Sequence, residues 1–295
     1  MSNSEPHRKA SFRKRIARTL LLAAGLYILF CLGCASFQRR MIYFPTACTS
    51  EKVEALALSE KLERWRTFEG KPLGWKRPSS IQPAQGQVLV MHGNACCAFE
   101  CSHYADVIQE AAPFDVFLVE YPGYADCPGN PSEEALERAA SEGFEALAKS
   151  MPIYLVGESL GTGVAAFLAG HYPEQIGGIV LFAPYNRLAD VAQAHVRILP
   201  VRLFLRDRFP AQDYLRNYHG PLAVLVGGQD TVVPERFGRL LCDGYNNGPK
   251  RLWHFPEASH DMLMARSKKT WQQIVEFWKS NAPAKNDCVR LTHHD

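Results

Sequence analysis

Six short apolar runs recur between residues 88 and 255, and helix-length stretches lie between most of them. They are Val88–Met91, Val116–Tyr121, Pro152–Val156, Gly178–Phe182, Leu222–Val226 and Arg251–Phe255. Most are too evenly apolar for a strand with one wet face, so they are predicted as strands buried on both sides. The connecting stretches 101–111, 131–150, 233–245 and 269–279 read as helices. Buried strands alternating with helices predict a largely parallel central sheet covered on both faces, the α/β class. A hairpin with Gly70 in its turn precedes this series, and a helix is predicted over 51–62. The stretch 186–220 is the one sizeable insertion, which predicts a minimal cap and an open site.

The third strand runs into Gly157-Glu158-Ser159-Leu160-Gly161 and then into the small-residue helix beginning Thr162-Gly163-Val164-Ala165. Strand, sharp turn and helix are the context that a nucleophile elbow requires. The turn lifts the Ser159 hydroxyl clear of the sheet. Side chains at Gly157 and Gly161 would collide with the neighbouring strand and helix.

A serine hydroxyl is a weak nucleophile until a base takes its proton, and a histidine base needs a carboxylate to orient it. On such a sheet the order is serine, acid, histidine, on loops after later strands. Asp230 follows the strand Leu222–Val226, and His260 follows the strand that ends at Phe255. Other candidates fit less well: His254 lies inside a strand, His171 ends a helix, and His195 and His219 fall in the insertion. Asp207 and Asp213 precede the required strand. An oxyanion needs two donors, and the backbone N–H groups of Leu160 and Asn94 are the candidates, the latter in the turn Met91-His92-Gly93-Asn94-Ala95.

The formal charge of +3 is unevenly spread. Residues 1–18 carry six Lys/Arg against one Glu, a local +5, so the remainder is about −2 and no basic surface argues for nucleic acid. The uncharged run from Leu20 to Phe37 follows, closed by Arg39 and Arg40. The excess of basic residues before the run predicts a cytoplasmic N-terminus, with the rest of the chain on the non-cytoplasmic side. A single-pass membrane anchor is the first reading, lipidation at Cys34 the second, and a cleaved signal peptide the third. The expected organisation is a basic N-terminal tail (1–18), an apolar membrane segment (19–37), a catalytic domain (38–280) and a polar tail (281–295). The cluster Cys96, Cys97, Cys101 lacks a second pair at ligand spacing, so neither a metal nor an organic cofactor is implied. Export would permit disulfides, with pairing left open.

Together, His92-Gly93-Asn94, the elbow at Ser159, Gly227-Gly228-Gln229-Asp230 and Ala258-Ser259-His260 resemble the α/β-hydrolase superfamily over roughly residues 66–279. The segment Tyr121-Pro122-Gly123-Tyr124 through Glu133 looks like the subgroup of membrane-anchored acyl-protein thioesterases and serine-aminopeptidase-like hydrolases. Pro122 stands where Arg or Ser is usual, and Gly227-Gly228 where His-Gly is common; neither is a triad position. The resemblance implies an α/β-hydrolase fold and a serine hydrolase cleaving a small acyl ester or thioester, with Ser159, Asp230 and His260 as triad. A peptidase using the same triad and a non-catalytic binding module on this fold are the alternatives.

Overall fold

The computed structural model describes residues 5–280 and 288–290. Nine strands form one sheet: β1 (Glu63–Arg66), β2 (Pro72–Arg77), β3 (Gly86–Met91), β4 (Phe114–Val119), β5 (Ile153–Glu158), β6 (Ile176–Phe182), β7 (Leu222–Gly227), β8 (Lys250–Phe255) and β9 (Cys288–Arg290). Their order is β1-β2-β4-β3-β5-β6-β7-β8-β9. The β1–β2 and β2–β4 pairs are antiparallel and every other pair is parallel. All six residues of β3 and of β7 are buried, as continuous apolar strands in a sheet covered on both faces must be.

Eleven helices are described: α1 (Glu5–Ile42), α2 (Ser50–Ser59), α3 (Ser102–Ala111), α4 (Glu133–Glu145), α5 (Gly161–His171), α6 (Leu188–His195), α7 (Val201–Phe204), α8 (Ala211–Tyr214), α9 (Glu235–Gly244), α10 (His260–Met264) and α11 (Lys268–Lys279). Helix α4 starts where expected, with Ser132 Oγ accepting from the Ala135 N–H at 3.1 Å and Glu133 and Glu134 in its first turn. It ends five residues earlier than the predicted Ser150. Buried Gln87 exchanges two hydrogen bonds with the Ala148 backbone, at 2.7 and 3.0 Å, and draws the chain out of the helix. Helix α5 is buried on nearly every side, which its run of Gly, Ala, Val and Leu suits.

The predicted boundaries at residues 18 and 37 are not structural breaks. Helix α1 continues unbroken through both to Ile42, and from Phe12 it is long and apolar enough to cross a membrane. Cys288–Arg290, expected in a polar tail, pairs with β8 as a short edge strand. Residues 281–287 and 291–295 of that tail lie outside the described residues.

The chain passes from β3 to β4 on one side, then returns to place β5 on the other side of β3. Connections leaving in opposite directions open a crevice at the carboxyl ends of these two strands. The loop after β3 and the elbow after β5 stand at that crevice.

Candidate active site

Ser159 joins β5 to α5 with φ +49, a left-handed conformation that a non-glycine residue rarely adopts. Its neighbours over-determine the strain. The Ser159 N–H donates to the Phe182 carbonyl at the end of β6 (2.9 Å), and its own carbonyl accepts from Thr162 Oγ1 at 2.6 Å and from the Thr162 N–H at 3.0 Å. A Cβ on Gly157 would stand 2.8 Å from the Gly161 carbonyl oxygen and 2.9 Å from Ala165 Cβ. A Cβ on Gly161 would strike the Met91 carbonyl oxygen. Both glycines are required by close approach, as the sequence reading held.

Asp230 and His260 stand on the loops after the neighbouring strands β7 and β8. His260 Nδ1 donates to Asp230 Oδ2 at 2.7 Å. Asp230 Oδ1 accepts from the backbone N–H groups of Val232 (2.9 Å) and Val233 (2.7 Å), so the whole carboxylate is fixed. The aspartate side chain is buried, whereas the imidazole keeps part of its edge open, and Ser259 Oγ caps the helix that His260 begins. Backbone bonds that continue past the strand ends set these loops together, Gly228 N–H to the Phe255 carbonyl (2.9 Å) and Gln229 N–H to the Ala258 carbonyl (3.1 Å).

The turn after β3 packs on the elbow, since a Cβ built at Gly93 would lie 3.7 Å from Ser159 Cβ. Asn94 turns its side chain away, donating from Nδ2 to the Ile42 carbonyl at 2.7 Å, and its carbonyl accepts from Tyr124 Oη at 2.9 Å. The backbone N–H groups of Asn94 and Leu160 donate to no protein group among the described residues. Leu160 opens α5, where the helix dipole favours negative charge.

Beneath this turn lies a buried polar cluster that the sequence reading missed. His92 Nδ1 is 2.7 Å from the Gly93 carbonyl, and Nε2 is 3.2 Å from Glu120 Oε1. Burial disfavours the protonated ring, but hydrogen bonds to Cys96 and Glu120 outweigh it and push His92 up to about 10. Cys96 Sγ lies 3.7 Å from Cys101 Sγ with no disulfide between them, and hydrogen bonds from Cys101 and His92 hold Cys96 down to about 4, as a thiolate. Glu158, the variable residue of the elbow, accepts from Tyr104 Oη at 3.0 Å. Burial and the neighbouring Cys96 push its carboxyl up to about 7. Only Glu158 carried a sequence signal, as a carboxylate in an otherwise apolar strand end. The other contacts join residues too far apart in sequence for any local pattern to reveal. Among the described residues no group of three or more His, Cys, Asp or Glu could hold a metal ion.

A cavity of about 500 Å³ opens on Ser159, Leu160 and Asn94. The 186–220 insertion forms much of its wall, with Leu188, Val191 and Leu199 facing in. His195, set aside as a base, also lines it and is 2.9 Å from the Val232 carbonyl. Helix α1 supplies the other wall through Cys31, Cys34, Ala35 and Gln38, so the site is less open than a minimal cap predicted. Asp207, rejected as the triad acid, instead pairs with Arg39 at the end of α1 (2.9 Å).

No family model matches the chain. An uncharacterized protein of Mycobacterium tuberculosis is 33% identical over 252 residues, covering 83% of this chain and 87% of that protein. The chain is 26% identical to alpha/beta hydrolase domain-containing protein 17C of Xenopus tropicalis, over 81% of this chain and 79% of the relative. It is 27% identical to lysophosphatidylserine lipase ABHD12 of Danio rerio over 203 residues, 61% of this chain but only 52% of the relative. An alpha-beta hydrolase from Vibrio vulnificus superposes with a TM-score of 0.58 at 19% identity, over 77% of this chain and 84% of that one. A monoacylglycerol lipase of Paleococcus ferrophilus gives 0.55 at 21% identity, over 75% and 99%.

Proposed function

This chain belongs to the α/β-hydrolase superfamily, and from that premise we propose that it is a serine hydrolase cleaving a carboxylic ester or thioester. The observation that carries the proposal is the Asp230–His260 hydrogen bond of 2.7 Å, set on the strand ends that follow the strained Ser159 elbow. Ser159 Oγ attacks the acyl carbon while its proton passes to His260 Nε2. Asp230 holds the imidazole in the tautomer that leaves Nε2 free to accept, and stabilises the imidazolium. The N–H groups of Asn94 and Leu160 receive the oxyanion. His260 then protonates the departing alcohol or thiol, leaving Ser159 acylated. Water attacks the acyl-enzyme with His260 again as base, releasing the acid and restoring the serine.

The cavity chemistry favours an acyl ester over the aminopeptidase alternative. An aminopeptidase must hold a free ammonium, which needs a carboxylate in the pocket, and among the described residues no acidic side chain lines this cavity. The lipase names of one relative and one structural neighbour point the same way.

Helix α1 is read as an uncleaved anchor, with the domain on the non-cytoplasmic side by the excess of basic residues before the apolar run. The hydrogen bond from Tyr27 Oη to the Ile198 carbonyl (2.7 Å), made N-terminal to Cys34, supports retention of the helix over cleavage or lipidation at Cys34.

The test is labelling with a fluorophosphonate, beside turnover of p-nitrophenyl acyl esters and aminoacyl-nitroanilides. Labelling that disappears in Ser159→Ala, with turnover of the esters, is the expected result. An unlabelled wild type would leave the binding-module reading, and cleavage of the anilides alone would leave the peptidase.

A further inference from the structure

The cavity at Ser159 continues along a helix whose apolar run is as long as a bilayer is thick. The 18 residues from Leu20 to Phe37 span about 27 Å, against roughly 30 Å of hydrocarbon. The part of α1 that lines the cavity starts inside this run and continues beyond it. Cys31 lies six residues inside the run, about 9 Å below its end. Ile42 lies five residues beyond it, about 7 Å above, which is the depth of the polar headgroup layer. At that level the Ile42 carbonyl accepts from Asn94 Nδ2 at 2.7 Å, so the helix end is joined to the turn beside Ser159. Of the roughly 16 Å from Ile42 to Cys31, about 9 Å lies at hydrocarbon depth, more than half of the 15 Å or so of acyl chain in one leaflet.

The facing wall follows the helix down the same distance. The insertion touches α1 at two levels: Gln38 Nε2 donates to the Phe204 carbonyl (3.2 Å), and Tyr27 Oη donates to the Ile198 carbonyl (2.7 Å). Between these contacts it turns Leu199 and Val201 toward the cavity, with Leu205 just beyond. Its tips turn outward instead, Ile198 being 72% and Leu203 74% exposed. A protein surrounded by water leaves few such side chains together, whereas an element lying against acyl chains presents them. Arg202, beside Leu203, is paired with Asp190 Oδ1 at 2.8 Å, so its charge is held by the protein.

We infer that α1 is a wall of the acyl-binding groove as well as a tether, and that the substrate is a membrane amphiphile. Its long acyl chain enters sideways from the leaflet between α1 and the insertion, and its ester stands at headgroup depth beside Ser159. The small side chains at Cys34 and Ala35 make room for the chain, which makes them specificity-determining positions. This inference rests on the serine-hydrolase reading above.

The experiment uses the full chain in dioleoylphosphatidylcholine vesicles and compares the rates at which ethyl and hexadecyl fluorophosphonates label Ser159. In Ala35→Trp the indole displaces at least two methylenes of the long probe, so the hexadecyl-to-ethyl ratio is expected to fall about tenfold or more. A second measurement needs no substitution: in the wild type, a hexadecyl adduct at Ser159 is expected to protect Cys34 from N-ethylmaleimide, and an ethyl adduct is not. An unchanged ratio in Ala35→Trp, equal Cys34 alkylation under both adducts, or a mature N-terminus at Cys34 each overturns the inference. If neither probe attaches to Ser159, the hydrolase reading itself fails and the groove fails with it.

Discussion

Arg39 and Asp207 meet through two parallel hydrogen bonds, Nε to Oδ2 at 2.9 Å and Nη2 to Oδ1 at 3.1 Å, across 168 residues of sequence. Tyr43 Oη donates a third bond to the same carboxylate at 3.1 Å. The arginine is half exposed while the aspartate is buried, so the two partners are not equivalent. Arg39→Ala strands a buried charge and is expected to cost about 2 kcal/mol, reduced from a fully buried pair by solvent at the arginine. Asp207→Asn keeps a neutral acceptor and is expected to cost about 1 kcal/mol. Thermal unfolding in detergent micelles checks the order of the two variants; a loss in Arg39→Ala no larger than in Asp207→Asn would mean that removing Arg39 does not strand the buried charge.

Asp230→Asn should separate catalysis from stability. The amide oxygen can still accept from the N–H groups of Val232 and Val233, which turns the amide nitrogen toward His260 Nδ1. His260 Nδ1 must then accept from that amide, which moves the imidazole proton to Nε2 and removes the base. A fall in kcat of about 10⁴ with a nearly unchanged melting temperature is expected. Turnover within about tenfold of wild type would remove Asp230 from the triad.

Glu158 makes stability depend on pH in an uncommon direction for a carboxylate. Its folded pKa of about 7 lies above the ordinary 4.5, so the folded state holds a proton that the unfolded chain has released. Its contribution is complete below about 4.5 and is lost as pH rises through about 7, amounting to up to about 3 kcal/mol. His92, pushed up to about 10, loses its own contribution in a later window, between its ordinary 6.5 and about 10. Glu158→Gln should therefore flatten the decline between pH 5 and 7 while leaving the later one in place. Melting temperatures across that range decide it, and parallel profiles would contradict the raised carboxyl.

Gly161→Ala tests the close approach under the elbow. The new methyl group would press on the Met91 backbone, which cannot rotate away as a flexible side chain can. A loss of more than about 3 kcal/mol is expected in chemical denaturation. A midpoint equal to wild type would show that α5 can shift off β3.

Much of this arrangement is local, which is why the sequence reveals it. Apolar runs set the strands, and Ser159, Asp230 and His260 each follow a strand end, a relation carried by a few neighbouring residues. The parts that escape such a reading depend on distant contacts. Gln87 ends α4 from another strand, and His92 meets Glu120 only because β3 and β4 are neighbours in the sheet. Nothing local in residues 31–42 shows that this helix borders Ser159, because the apolar pattern of a lipid-facing helix and of a cavity wall is the same. Asp207 shows the converse: its position in the chain rules it out as a triad acid, but its partner Arg39 appears only in three dimensions.

The unbroken helix from Glu5 to Ile42 also changes which concentration matters. An enzyme hung on a flexible linker sweeps a volume, and its rate follows how many substrate molecules that volume contains. With Ser159 as the proposed nucleophile and α1 as the proposed anchor, the serine is held by a rod continuous with the domain, so its height above the bilayer midplane would be nearly constant and the search lateral. Turnover would then scale with the mole fraction of substrate in the leaflet and fall on dilution with inert lipid, even at constant bulk amount.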